Sequence, residues 1–148
     1  MAASSAAIAY AAQNTSAAKG PVVLLGRLFF AAIFLMAGPN HFTKQAIGYA
    51  ASQGVPLASI AVPVSGLLAI IGALSILLGY RAKVGAWLIA LFLIPVTLMM
   101  HKFWGVSDPM MAQVQMIMFM KNIAMLGGAL LIAQFGAGPL SLDARRLR

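Results

Sequence analysis

Apolar residues fall into four long blocks, at 22–38, 58–80, 84–100 and 111–135, separated by short breaks that carry Gly, Pro or charge. Each block approaches or exceeds the roughly 17–25 residues that a helix needs to cross a bilayer. Lipid offers no partner for backbone N–H and C=O groups, so a spanning segment is either a helix or a strand of a closed barrel. Barrel strands alternate apolar and polar positions with a period of two, whereas these blocks are continuously apolar. The pattern predicts an all-α fold, an integral membrane bundle of four transmembrane helices.

The breaks agree with this reading. Gly38, Pro39 and Asn40 end the first block, Gly54, Val55 and Pro56 precede the second, and the stretch 105–109 parts the third from the fourth. Three units follow: an Ala- and Ser-rich tail at 1–19, expected to be disordered or a surface helix; a four-span domain at 20–143; and a basic tail at 144–148. The first sixteen residues lack a positively charged n-region, which argues against a cleaved signal peptide.

Composition narrows the partners. With 62% hydrophobic and 8% charged residues in a chain of 148, there is too little polar surface for an ordinary soluble domain, and a lipid bilayer is the expected surrounding. The net charge of +8 sits at span ends and not in a polar domain with interleaved aromatics, so no nucleic-acid partner is expected. Lys19, Arg81, Lys83, Arg145, Arg146 and Arg148 fall on one side and Lys44 and Lys102 on the other. The positive-inside rule then places both termini in the cytoplasm. No cysteine is present, which rules out thiol relay or thiolate ligation within this subunit.

Polar groups inside an apolar span are costly and mark functional candidates. In the first span Arg27, Ala31, Phe34, Gly38 and His41 share a helical face, although Arg27 and His41 lie about 20 Å apart along the axis. Snorkelling of Arg27 to lipid phosphates is the plain alternative to a binding role. The first and third spans run in the same direction, so His41 and His101 reach the same face. The fourth span aligns Gln115, Met118, Asn122 and Met125 on a stripe expected to face the interior. Lys121 points about 100° away from Asn122, and either reaches the interface or pairs with Asp108. Arg27, His41, His101, Gln115, Lys121 and Asn122 are the ligand-binding candidates, with Phe42, Phe103, Trp104 and Phe119 as apolar or stacking walls.

His41, His101, Gln115, Lys121 and Asn122, together with Lys44 and Asp108, are expected to line a pocket near the outer interface that suits a quinone headgroup or a small anion, with Arg27 a separate candidate deeper in the first span. Donors hold a quinone carbonyl, imidazole exchanges protons with the reduced ring, and cations stabilise negative charge. Two histidines with almost no carboxylate support do not make a metal site, and no triad or paired-acid spacing marks a hydrolase; the catalytic residues stay unassigned. Small residues at Ser65, Ala69, Gly72 and Gly79, and Gly127 with Gly128, let helices approach closely. Pro95 removes a bond to the carbonyl of Leu91 and bends the third span.

Gly26 with Arg27, the segment 72–79 followed by Arg81, His101, Asn122, Gly127 with Gly128, and the pattern Gly136, Gly138, Ser141, Asp143 together resemble the DoxX family of small four-helix membrane proteins. The likeness covers about 20–143, and the Gly-x-Gly-x-x-Ser-x-Asp pattern is its most specific part. The resemblance implies kinship with a subunit of an archaeal thiosulfate:quinone oxidoreductase and with bacterial membrane proteins of redox or oxidative-stress complexes. It carries over to Arg27, Asn122, Ser141 and Asp143; for Gly136, Gly138, Ser141 and Asp143 a structural role is expected, capping the last helix and docking one end of the bundle. The family's acidic residue early in the second span is missing here, where Ser65, Gly66, Leu67 and Leu68 stand. Three functions fit: a quinone-interacting redox subunit with a redox partner subunit, a membrane scaffold or assembly factor, or an anion carrier acting as a homo-oligomer.

Overall fold

The computed structural model describes residues 5–146. Among these, four helices are long and apolar enough to cross a membrane, over Gly20–Phe42, Ala58–Leu78, Ala82–Gly105 and Pro109–Phe135, and the chain is an all-α membrane bundle. Helix α1 runs Ser5–Ala37 and tightens into a 3₁₀ turn at Gly38–Phe42. The part of the expected N-terminal tail from residue 5 onward is thus helical and continuous with the first span, while residues 1–4 lie outside the described residues.

The connection after the first span holds an unforeseen helix, α2, at Lys44–Ser52. Thr43 starts it as a cap, its hydroxyl accepting from Ala46 N at 3.2 Å. Helix α2 folds back on α3 (Ala58–Leu78), where Ala50, Ala58 and Val62 form a small core of their own. Helix α4 occupies Ala82–Met100 and α5 Pro109–Phe135. Short α6, Leu142–Arg146, takes up the beginning of the expected basic tail; Leu147 and Arg148 lie outside the described residues. The α3–α4 turn and α6 mark the tail end of the bundle, and the connections that follow α1 and α4 mark the opposite, loop end.

In lipid, helices associate through close van der Waals packing and not through expulsion of water. The core accordingly mixes alanine with a few large side chains: Ala31 and Phe34 of α1, Ala73 and Ile76 of α3, Ile89 and Leu93 of α4, and Ala129 of α5. Helices α3 and α4 touch at Gly72 and Gly85, where a Cβ on Gly72 would stand 2.8 Å from Gly85 O. Of the predicted stripe Ser65, Ala69, Gly72 and Gly79, the last three are buried and Ser65 is half-buried. Of the glycine pair in α5, only Gly128 meets a neighbour, the Phe30 ring, and Gly127 faces open space. Helix α4 lies deepest among its neighbours, and α1 and α5 leave wide apolar faces outward.

Candidate functional site at the loop end

Two helices running the same way bring both histidines to the loop end. His41 sits in the 3₁₀ turn that prolongs α1, and His101 caps the C-terminus of α4. Between them opens a cavity of about 570 Å³, to which α5 contributes Lys121, Asn122 and Met125. Four of the six ligand-binding candidates, His41, His101, Lys121 and Asn122, line this one cavity. Gln115 stands behind His101, its Oε1 accepting from His101 Nδ1 at 2.9 Å. The stripe Gln115, Met118, Asn122, Met125 does face inward, and Asn122 is 5% exposed.

The rest of the wall is mostly apolar and includes Ile33, Phe34, Phe92, Leu93, Met99 and Val96. His41 stands edge-on to Phe92, ring centroids 5.5 Å apart, and its Nδ1 donates to Ala37 O at 3.2 Å. A cavity of this size, apolar with a few convergent polar groups, is the usual form of a small-molecule site. A second cavity of about 260 Å³ adjoins it and is lined by Gln53, Lys102, Asp108 and Gln115; Tyr49 and Met100 border both.

Several expectations are corrected. Lys121 does not pair with Asp108: the Asp108 carboxylate caps α5, accepting from Met111 N at 2.7 Å, and Lys121 Nζ lies 3.2 Å from Met118 Sδ. The two residues are separated by more than three helical turns of α5, too far for either side chain to bridge. Phe103, Trp104 and Phe119 pack on one another edge-to-face, with centroids 5.1–6.0 Å apart, instead of walling the cavity. Its aromatic walls are Phe34, Phe92 and Tyr49. Lys44 is exposed at the start of α2, and Phe42 is also turned outward.

Asn40, Tyr49 and Ser65 line the cavity without having been singled out as ligands. Asn40 and Ser65 were legible only as a helix end and a packing stripe. Tyr49 depends on α2 folding over the site, which no periodicity in a nine-residue helix of the loop announces.

Arg27 belongs to the other end. It is 3% exposed, and its Nη2 donates to Leu140 O at 2.7 Å while Nε and Nη1 are buried without a partner. Its guanidinium lies against Gly79, beside Ser141 and Ala137. Here the Gly136–Asp143 pattern folds back onto the bundle. Leu140 and Gly138 take left-handed backbone, φ 58° and 68°. Ser141 Oγ donates to Gly138 O and accepts from Ala144 N. The Asp143 carboxylate accepts from Arg81 N at 2.8 Å and Ala82 N at 3.1 Å, capping α4, and Asp143 N donates to Gly79 O. Among the described residues, four helical spans, a closed tail end and a hollow loop end make this a small polytopic membrane protein with an amphiphilic chamber.

The DoxX family model matches residues 22–102, and the chain belongs to the DoxX family. It is 28% identical to the Inner membrane protein YphA of Escherichia coli K12 over 134 residues, covering 87% of this chain and 93% of that protein. It is 32% identical to the Inner membrane protein YqjF of the same organism over 127 residues, covering 82% and 88%. No solved structure matches.

Proposed function

We propose that the protein is a redox-associated subunit of a bacterial inner membrane whose loop-end cavity holds a quinone headgroup. The observation that carries this reading is the convergence of His41, His101, Lys121 and Asn122 on one chamber whose remaining wall is mostly apolar. A quinone has the same division, a polar ring on a lipid-soluble body. Lys121 and Asn122 supply donors for ring oxygens, and the two imidazoles supply groups able to exchange protons. With no cysteine in the chain, the electron-transfer centre falls to a partner subunit in this reading. The inner-membrane relatives YphA and YqjF support the location.

An anion carrier would need a polar path from Arg27 to Lys121. Ala31, Phe34, Ala73, Ile76 and Ala129, all buried, pack the layer between the two ends, which favours the chamber over a channel. The scaffold reading draws its support from the close α3–α4 contact and the docked C-terminal segment.

The test is the quinone content of protein purified in mild detergent, by solvent extraction and chromatography, against an unrelated four-span protein from the same membranes. Near-stoichiometric enrichment is expected. Background content would overturn the quinone reading in favour of a scaffold.

A further inference from the structure

From the hydrogen-bond polarity of the chamber we infer a ligand class narrower than quinones in general: a ring that carries hydroxyl hydrogens, the quinol or a related phenol, in preference to the carbonyl form. This rests on the reading of the chamber as a quinone site. It starts from the tautomers of the two histidines. The partner of His41 Nδ1 is the backbone carbonyl of Ala37, at 3.2 Å, and a carbonyl only accepts. Nδ1 of His41 therefore carries the hydrogen, and in the neutral ring Nε2 is left with a lone pair. His101 repeats the arrangement, since its Nδ1 faces Gln115 Oε1 at 2.9 Å. Each imidazole has its Nδ1 hydrogen held by a neighbouring oxygen, and its other nitrogen is an acceptor.

Ser65, a third polar residue of the wall, acts the same way. Its hydroxyl donates to Val62 O at 2.7 Å, within its own helix, so toward the chamber it offers only lone pairs. The donors are Lys121, whose Nζ has only the weak acceptor Met118 Sδ at 3.2 Å, and the Asn40 and Asn122 amides and Tyr49 hydroxyl, which can also accept. The chamber thus sets three groups that only accept against one, Lys121, that only donates, with Asn40, Tyr49 and Asn122 able to do either. A quinone carbonyl accepts and cannot donate, and would leave the imidazole and serine lone pairs unmatched in an apolar surrounding. A quinol hydroxyl donates to one of them and still accepts from Lys121 or Asn122. Sites built around a ligand hydroxyl discriminate sharply against analogues that lack it, because their own polar groups are then left unpaired.

The experiment measures binding of three short-chain ligands of one ring skeleton to the full chain in detergent: a benzoquinol kept reduced, its quinone, and the dimethyl ether of the quinol, which has the same ring without hydroxyl hydrogens. The expected result is a quinol affinity about tenfold or more above both others, the ratio one hydrogen bond gained instead of lost supplies. In His41→Phe/His101→Phe protein that remains monodisperse and helical, the preference falls to about twofold or less. Quinone or ether binding as tight as quinol overturns the inference and leaves the quinone site standing. Absence of binding by all three overturns the quinone reading itself. Retention of the full preference in the double variant also overturns the inference, since it would place the selecting groups elsewhere.

Discussion

Gly79 shows how much a single position holds at the tail end. Its φ of 64° is in the left-handed region, and it closes α3 with Tyr80 N donating to Ser75 O and Gly79 N to Ile76 O, the Schellman pattern that favours glycine. A Cβ there would also run into the Arg27 guanidinium and Ser141. Gly79→Ala is expected to cost on the order of 2 kcal/mol or more, read as a lower apparent Tm in detergent. Asp143 holds the same junction from the other side. Asp143→Ala removes the acceptor of two backbone N–H groups at the start of α4 and is expected to cost about 1–2 kcal/mol, in the same assay. At the loop end the expectation is different in kind. Alanine at His41, His101 and Asn122 together should reduce ligand affinity at least tenfold with helicity intact, whereas Arg27→Lys should leave affinity within twofold and lower thermal stability. Ligand binding by equilibrium dialysis checks both. The sequence placed His41, His101, Gln115, Lys121 and Asn122 near one another because axial position follows from helix rise. It made Arg27 a ligand-binding candidate as well, about 20 Å from His41, because a charge inside a span has the same sequence signature whether it binds a ligand or anchors a chain segment.

At the scale of elements, the crossing of α3 and α4 governs the bundle. Gly85 is as intolerant as Gly72, since a Cβ on it would stand 2.5 Å from Ser75 Cβ and 2.8 Å from Gly72 O. Gly85→Val is expected to force the two helices apart and lower stability by about 2–4 kcal/mol, measured by thermal unfolding in detergent. Gly66 does similar service where α3 meets the end of α1, with His41 Cβ 2.6 Å from where its own Cβ would be. The small-residue stripe of α3 was readable from its spacing, but which helix it met was not, because periodicity defines a face and not its partner. Helix α2 was unreadable for another reason. Nine residues of modest polarity between two spans resemble any loop, and their helicity is stabilised by packing on α3 more than by propensity.

At the scale of the whole molecule the two ends differ in charge and in packing. Arg81, Lys83, Arg145 and Arg146 gather at the tail end, where Arg146 lies over the Tyr80 ring at 4.6 Å. The basic tail end is expected to face the cytoplasm. Since the chain is naturally free of cysteine, single substitutions report topology directly. Ser107→Cys should react with an impermeant maleimide added to intact spheroplasts, and Leu142→Cys only in inverted vesicles. The reverse pattern would invert the assignment and place the chamber on the cytoplasmic side.

By itself the sequence determined the class, the number and direction of the spans, and which end carries each histidine, because bilayer thickness and the helical rise leave a continuous apolar block little choice. The fold-back of residues 136–143 onto Arg27 and Gly79, the helix α2 over the chamber, and the packing of Phe103, Trp104 and Phe119 on one another were decided only by tertiary structure. Each depends on contacts between residues distant in the chain or on side-chain rotations about a helix axis, and apolar periodicity in lipid, where every helix face is apolar, carries little of that information.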